Sequence, residues 1–480
     1  MLFVEFRFFW FFLAVFAVYW SLRENRTRKI WLLVCSYFFY ACWNWKFLFL
    51  IIASSGLDYL VGSMLARTDD PRRRRGWLIL SLVANLGTIA FFKYYNFFVT
   101  SAAALLEWLG LPASIHTLEI VIPVGVSFYT FHSMSYTIDV YRRKLEPVRS
   151  PLDLACFIGF FPQMVAGPIV RAFAFLPQLR SLRRFADVDV RGALVLFLTG
   201  FIKKACIADA VAPFVDRYFE APWNFTTGSA WVAVLFYAIQ IYCDFSGYTD
   251  MAIATAGLLG YDLPVNFRFP YFAANIADFW HRWHISLSTW LRDYLYIPLG
   301  GNRGPAWVVY RNIMITMLLG GLWHGGAWTF VIWGGLHGLA LVVHRAWTQR
   351  RDVLPDVRDM QKHGPPKGPR SVAGSLGWLL VVYWVCFAWI FFRAVDLPHA
   401  VPALRSFIFL PSRGTEDLGV WMLWIVAVLG FIHWLNSRGT FSTWWRRPSA
   451  QVFAAGYGCA FAIVLLFIPP HYAPFIYFQF

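Results

Sequence analysis

The sequence is poor in charged residues. Only 14% of its 480 residues are Asp, Glu, Lys or Arg, whereas an average soluble chain has about 25%. Apolar residues make up 59% of the chain and aromatic residues 20%, which excludes an ordinary soluble protein and is typical of a polytopic membrane protein with rings at both interfaces. The net charge of +16 comes from short basic clusters between apolar runs, so it does not indicate nucleic-acid binding. We expect membrane lipids to surround most of the chain.

The sequence also lacks the motifs of several chemistries. Its seven cysteines have no CxxC spacing and mostly fall in apolar segments, which favours buried packing over a disulfide or a metal site. There is no HExxH motif, so the polar side chains of 278–284 and His324 are not expected to bind a metal. No P-loop, GxGxxG fingerprint or serine nucleophile elbow occurs in a usable context. We therefore expect neither a metal nor a bound cofactor.

Apolar stretches of the length of a transmembrane helix, about 20 residues, recur along the chain. The stretch 6–22 lacks a basic start and a cleavage site, so we expect it to be a retained span. Pro162, Gly167 and Pro168 break the stretch 160–169, which at membrane depth is tolerated only beside protein or a cavity. The candidate spans are 6–22, 30–45, 47–66, 77–98, 118–138, 153–170, 190–212, 229–258, 307–322, 325–345, 373–394, 418–436 and 451–469.

Basic loops predict the orientation by the positive-inside rule. The clusters at 23–29, 72–75 and 141–144 are each separated by two candidate spans, so all three are expected on the cytoplasmic face. The loop 345–370, rich in Lys, Arg and Pro, and the loop 437–447 are expected there too. This parity predicts a multi-pass protein with both termini extracytoplasmic.

Two segments place histidines among tryptophans and glycines: FWHRWHISLS at 279–288 and GGLWHGG at 320–326. Polar groups inside a membrane are costly and usually functional. At 100° per residue, 276–295 predicts an amphipathic helix whose polar arc carries His281 and His284. That helix lines a polar cavity, or it lies along the interface with snorkelling histidines. His324, framed by glycines, suits a general base, because imidazole titrates near neutral pH. Two alternatives stay open. His324 could instead be a core residue hydrogen-bonded to a neighbouring helix, and His337, which also lies among glycines, could have a purely structural role.

Two carboxylates interrupt the apolar run QIYCDFSGYTD at 240–250. A charge at the bilayer centre costs roughly 2.5–3.5 kcal/mol on insertion scales. We expect Asp244 and Asp250 to be paired with Arg282, Arg292 or a helix N-terminus. A purely structural polar clamp is the alternative, and the run FPQMVAGP at 161–168 is expected to form the broken wall of a cavity.

These segments together resemble the membrane-bound O-acyltransferase family, in particular its bacterial alginate O-acetyltransferase branch. The resemblance covers most of 90–345 in a consistent order. It departs at His281, where arginine is expected, so no catalytic role is carried onto that residue. The matching runs are FKYYNF at 92–97, PVGVSFY at 123–129, GPIVR at 167–171, DFSGYTD at 244–250, 283–303 and 318–325.

The resemblance implies an all-α polytopic bundle of about 11 transmembrane helices, with re-entrant and interfacial helices, around a transmembrane tunnel. We expect a single domain over 1–480, with a catalytic core at about 90–345, the cytoplasmic loop 345–370, and C-terminal helices and an aromatic tail at 373–480. His324 matches the catalytic histidine of the family and His284 its second functional histidine. Supporting or tunnel-lining roles are expected for Asp244, Ser246, Asp250, Trp283, Ser288, Arg292 and Trp323.

The implied activity is transfer of an acetyl group from a cytoplasmic thioester, acetyl-CoA, to a partner that decorates an exopolysaccharide. The expected partner is a periplasmic acetyltransferase, and an alginate-like polymer is the first choice. Cellulose, peptidoglycan and D-alanylated polymers are alternatives within the family. Two rivals come from other classes: a transporter of polysaccharide or lipid-linked sugar, which has no need of His324, and a scaffolding subunit.

The segment FIYFQF at 475–480 is too aromatic for a solvated end. We expect it to dock into the outer mouth of the site and to bring the Tyr477 hydroxyl near His324 as a transient acyl acceptor. An aromatic interface anchor is the alternative.

Overall fold

The computed structural model describes residues 1–112, 115–165, 167–348, 353–356, 372–440, 443–469 and 475–476. In this part of the chain the secondary structure is helical, with one isolated bridge between Phe225 and Glu416 and no strand. This confirms the all-α prediction. The α-helices are α1 Phe6–Ser21, α2 Asn25–Asn44, α3 Leu48–Arg67, α4 Pro71–Ile89, α5 Tyr95–Trp108, α6 Val126–Tyr141, α7 Pro151–Gly159, α8 Phe161–Met164, α9 Ala172–Arg180, α10 Val190–Phe201, α11 Asp209–Glu220, α12 Thr227–Leu258, α13 Ile276–Trp280, α14 Ile285–Leu291, α15 Ala306–His324, α16 Trp328–Thr348, α17 Val372–Arg393, α18 Leu397–Phe407, α19 Leu423–Ser437 and α20 Ala450–Leu465.

The chain is a polytopic membrane protein. Among the described residues, six helical stretches are long and apolar enough to cross a membrane, and α1 and α20 are shorter apolar helices. Only 6% of the apolar window of Val420–Ser437 is buried by protein, as expected for a helix whose surroundings are lipid. The predicted figure of about 11 passes and the tunnel stay predictions. The six stretches are Asn25–Arg67, Pro71–Trp108, Thr227–Leu258, Ala306–His324, Gly374–Arg393 and Val420–Ser437.

The chain divides into two compact units. The first comprises Met1–Ala193 and Ala252–Leu263. Helices α3, α4 and α6 of this unit share a polar cluster around the fully buried carboxylate of Asp58. Ser81 Oγ donates to Asp58 Oδ1 at 2.6 Å, and Asn85 Nδ2 donates to its Oδ2 at 3.1 Å. These bonds offset the cost of a carboxylate between apolar helices.

The predicted break at 160–169 is present in the first unit. Helix α7 ends at Gly159 and α8 ends at Met164, so no long helix forms there. The backbone beyond the break is held by a side chain, because the N–H of Val170 donates to His132 Nε2 at 3.1 Å. The role of 161–168 as a cavity wall stays a prediction.

The second unit comprises Leu194–Met251 and Pro264–Phe480. Its central hairpin is α15 and α16, which cross where Gly321 faces Gly334. A Cβ on Gly334 would overlap the carbonyl oxygen of Met317 and lie 3.1 Å from Gly321 Cα. Small residues allow this close approach of two helices within a membrane. The crossing lies three residues before the end of α15, where His324 is the last residue.

Candidate functional site

The predicted amphipathic helix over 276–295 is wrong, and the error bears on His284. The chain forms α13 and α14 with a break at His284, whose φ of 43° is left-handed. The loop that contains Asn266 imposes this break. The Asn266 carbonyl accepts from the N–H of Ile285 at 2.9 Å, and its Oδ1 accepts from the N–H and Oγ–H of Ser286 at 3.1 and 2.9 Å. Side-chain capping of this kind competes with a continuous helix.

The same asparagine orients the His284 ring. Nδ1 of His284 lies 3.2 Å from Asn266 Oδ1, and the residue is fully buried. The Phe245 ring packs edge-on against the imidazole, with the centroids 4.7 Å apart. His284 is therefore held by a side-chain hydrogen bond and by packing, and it does not snorkel along an interface.

His324 lies beside His284. It ends α15, is 3% exposed, and its ring centroid is 6.4 Å from that of His284. Trp323, Trp333 and Phe392 surround it with centroids at 4.9, 5.1 and 5.0 Å. The two histidines that the sequence singled out thus converge in one aromatic pocket, although 40 positions separate them in the chain.

A small cavity, with room for about one water molecule, opens against His324. Its wall combines His324, Ser288 and Thr316 with apolar residues, most of them on α14, α15 and α16. Such a mixture, largely apolar with a few convergent polar groups, is typical of small-ligand sites. One wall residue comes from the predicted cytoplasmic loop: Leu354, which is 6% exposed. The lining residues are Trp280, Leu287, Ser288, Leu291, Thr316, Met317, Gly320, His324, Trp333 and Leu354.

The buried carboxylates have different partners from those expected. Asp244 Oδ1 lies 2.8 Å from Lys204 Nζ, and Asp250 Oδ2 lies 2.7 Å from Lys203 Nζ. Both lysines belong to the π-helical turn Ile202–Ala208, and such turns are frequent at functional sites. Lys204 also pairs with Asp209 at 2.8 Å. The predicted pairing of these carboxylates with arginine is therefore wrong.

The two arginines named for that pairing have carboxylate partners of their own. Arg282 Nε lies 2.7 Å from Asp278, four residues earlier. Arg292 bridges Asp293 and Asp356, with both distances at 2.9 Å. Arg292 thus connects the segment 353–356, whose Leu354 lines the cavity, to the end of α14.

The other predicted supporting residues fall into two groups. Trp323 is 5% exposed and its ring lies 6.0 Å from that of His284, whereas Trp283, 2% exposed, packs on Trp389 at 5.1 Å. Ser246 is buried on α12 beside Phe245, while Asp250 lies further along the same helix with Lys203. His337 is fully buried between Trp280 and Trp333, at 5.1 and 4.9 Å, and does not line the cavity.

The aromatic tail returns to the site. Phe475 and Ile476 are 0% and 1% exposed. The N–H of Ile476 donates to Asp244 Oδ2 at 2.7 Å, and the Phe475 ring packs on Phe245 and Tyr248. Tyr477 lies outside the described residues, so its predicted place near His324 stays a prediction.

Sequence reasoning missed two groups that shape this site. Lys203 and Lys204 stand in an apolar stretch, and a pair of lysines there is the signal that acidic partners lie nearby. Asn266 stands in the run LPVNFRFP at 263–270, where a single amide among apolar residues gives no comparable indication of its partners. Among the described residues, no group of three or more His, Cys, Asp or Glu side chains is arranged to hold a metal ion.

Comparison with known proteins gives a consistent result. Residues 143–384 match the family model of the membrane-bound O-acyltransferases. The chain is 42% identical over 393 residues to a probable alginate O-acetylase AlgI of Azotobacter vinelandii, covering 81% of this chain and 74% of the relative. A protein of the same description from Pseudomonas aeruginosa is 41% identical, with 85% and 74% covered. A peptidoglycan O-acetyltransferase of Helicobacter pylori is 37% identical, with 83% and 77% covered.

Proposed function

The chain belongs to the membrane-bound O-acyltransferase family, and on that premise we propose that it passes acetyl groups from acetyl-CoA across the membrane for O-acetylation of an alginate-like exopolysaccharide. The observation that carries the proposal is the position of His324. It ends α15 against a cavity, with the His284 ring at 6.4 Å and the rings of Trp323, Trp333 and Phe392 around it. An imidazole in that setting is suited to proton transfer.

In the proposed reaction His324 takes the proton of an acceptor hydroxyl. The hydroxyl oxygen attacks the thioester carbonyl carbon, the C–O bond forms and the C–S bond breaks. The CoA thiolate leaves and receives the proton, so atoms and charge balance. His284, oriented by Asn266, is placed to stabilise charge at the reacting carbonyl. Ser288 adds a polar group to the cavity wall.

The donor is proposed to enter from the cytoplasmic side. Leu354 supports this direction, because it belongs to the basic loop expected on that face and lines the cavity that His324 also lines. The basic loops would help attract the phosphates of the donor. We further propose a location in the cell inner membrane with both termini extracytoplasmic, one acyltransferase domain over 1–480, and a periplasmic acetyltransferase as partner.

The acceptor polymer is the first property to test. Relatives described as alginate O-acetylases reach 42% identity and the peptidoglycan O-acetyltransferase 37%, so we expect acetylation of an exopolysaccharide. The chain should restore O-acetyl ester content to alginate in cells that lack their own alginate O-acetylase, as measured by ester release and NMR. Peptidoglycan from the same cells is the control. Esters on peptidoglycan alone would contradict the proposed polymer.

The aromatic tail is proposed to carry the acetyl group. In this relay the Tyr477 hydroxyl is the first acceptor, and the acetyl-tyrosine ester then donates to the partner. Support comes from the neighbouring Phe475, which packs on Phe245, a residue that also contacts His284.

Replacing Tyr477 by phenylalanine removes only that hydroxyl. We expect polymer acetylation to fall to the level of cells without the chain, while CoA release by the purified protein persists through hydrolysis. Phe478→Tyr, which leaves Tyr477 in place, is the matched control. Full polymer acetylation by the Tyr477→Phe chain would remove the relay.

A further inference from the structure

The tail is attached to the site through its backbone as well as its side chains. The Ile476 N–H and the Asp244 carboxylate meet at 2.7 Å across 232 positions of sequence. Phe475 adds two ring contacts, at 5.9 Å to Phe245 and 4.8 Å to Tyr248. A hydrogen bond from the backbone does not depend on the identity of the side chain. It therefore fixes where the main chain of the segment lies.

The carboxylate of Asp244 uses its two oxygens differently. Oδ1 faces the Lys204 ammonium at 2.8 Å and Oδ2 accepts from Ile476. Lys204 is shared with Asp209, so two carboxylates face one ammonium, and all three side chains are at most 4% exposed. A buried acceptor with this excess of negative charge gains from a peptide N–H, because hydrogen bonds to ionised groups are the strong ones.

We propose that Asp244 anchors the chain at Phe475 and Ile476 and that Lys204, held in turn by Asp209, fixes the Asp244 carboxylate. Asp244 is then a positioning residue: it acts on the acetyl group through the tail and not by proton transfer with His324. The inference rests on the proposed function in one respect, that the fixed tail is used in acetyl transfer. Phe245 gives the link, because it contacts both Phe475 and His284, at 5.9 and 4.7 Å.

A purely stabilising ion pair is the competing explanation, and the chain contains a control for it. Lys203, the residue before Lys204, pairs with Asp250 at 2.7 Å on the same helix α12. Among the described residues that second pair has no bond to the tail. Both pairs join the π-helical turn to α12, but the Lys203 pair is 19–20% exposed and the Lys204 pair at most 4%. The unfolding temperature of each variant is therefore measured beside tail release, and the anchor predicts a difference in release beyond any difference in stability.

The decisive variant is Ile476→Pro in the 480-residue chain. Proline removes the N–H that Asp244 accepts and leaves the charge cluster untouched. Ile476→Val, which keeps the N–H and the branched side chain, is its matched control. Carboxypeptidase should release residues 478–480 about tenfold faster or more from the proline variant than from the wild type, the size expected for losing a bond to an ionised acceptor. Release from the valine variant should match the wild type.

A second pair of variants separates the anchor from general stability. Lys204→Met should expose the tail to carboxypeptidase, and Lys203→Met should not. Equal exposure by both, or wild-type protection in Ile476→Pro, would overturn the anchor. If the Lys204→Met chain fails to fold, the proline and valine variants still decide.

The same proteins separate failure of the anchor from failure of the relay. Acetyl on Tyr477, measured by mass spectrometry after incubation with acetyl-CoA, should fall with tail protection in Ile476→Pro. Faster tail release with undiminished polymer acetylation would support the anchor and overturn its use in transfer. Unchanged protection with lost acetylation would overturn the anchor itself.

Discussion

Replacing His324 by alanine should lower the rate of CoA release from acetyl-CoA by about 10²–10⁴-fold, the usual contribution of a positioned general base. The imidazole lines the cavity and lies next to His284. Alanine would leave the cavity in place and enlarge it, so the donor should still bind while the acceptor hydroxyl keeps its proton. The measurement is thiol release by purified protein in detergent, with donor binding followed separately.

His337 is the matched control for this variant. Both imidazoles pack on the Trp333 ring, at 5.1 Å for His324 and 4.9 Å for His337, and both are buried. Only His324 lines the cavity. His337→Ala should therefore lower the unfolding temperature without a comparable loss of turnover by the folded fraction. Equal losses of turnover would show that the aromatic packing, and not proton transfer, is what His324 provides.

The prediction also separates the enzyme from the rival carrier. A transporter of polysaccharide or lipid-linked sugar has no chemical step for His324 to serve. Substrate flux that survives His324→Ala, with no thioester cleavage by the wild type, would favour the carrier.

The sequence alone located the two histidines but not the geometry between them. The tryptophan and glycines around His324 indicated a polar residue at a place where the backbone packs closely or leaves the helix. Helix α15 does end at His324. The break at His284 was not predictable from periodicity. It is imposed by Asn266, whose partners on Ile285 and Ser286 lie about 20 positions away and leave no local signature. Apolar periodicity continues through the break, so a helical wheel gave one helix where the chain forms two.

The prediction of partners for Asp244 and Asp250 was wrong for a related reason. Arg282 and Arg292 were expected as partners, but each pairs with an aspartate within one helical turn of its own position. Lys203 and Lys204 were hidden in a segment that reads as a transmembrane span. A buried carboxylate in a membrane needs a partner of opposite charge, but this requirement does not identify the residue. The partners become evident only when the π-helical turn is seen packed against α12. The aromatic composition of 475–480 argued against a solvated segment, and Phe475 and Ile476 are buried, whereas the place of Tyr477 stays a prediction.

Adding a methyl group at Gly334, which is not among the residues that line the cavity, should still disturb the site. On Gly334 an added Cβ would overlap the carbonyl oxygen of Met317, a residue whose side chain lines the cavity. Backbone cannot move aside as a flexible side chain does, so the α15–α16 crossing must open. We expect Gly334→Ala to lower the free energy of unfolding by about 1–3 kcal/mol, as for other overpacked sites. CoA release should fall with it, because Gly321 at the crossing is three residues from His324.

Gly335 provides the control in the adjacent position of the same helix. There the nearest atom to an added Cβ is Leu318 Cδ2 at 3.5 Å, an ordinary contact. Since alanine favours helix over glycine by about 1 kcal/mol, Gly335→Ala should be neutral or stabilising and should keep the activity. Thermal unfolding in detergent and thiol release measured on both variants check the pair. If the two variants behave alike, the Gly321–Gly334 crossing does not hold His324 against the cavity, and the position of that imidazole must be set by its aromatic neighbours alone.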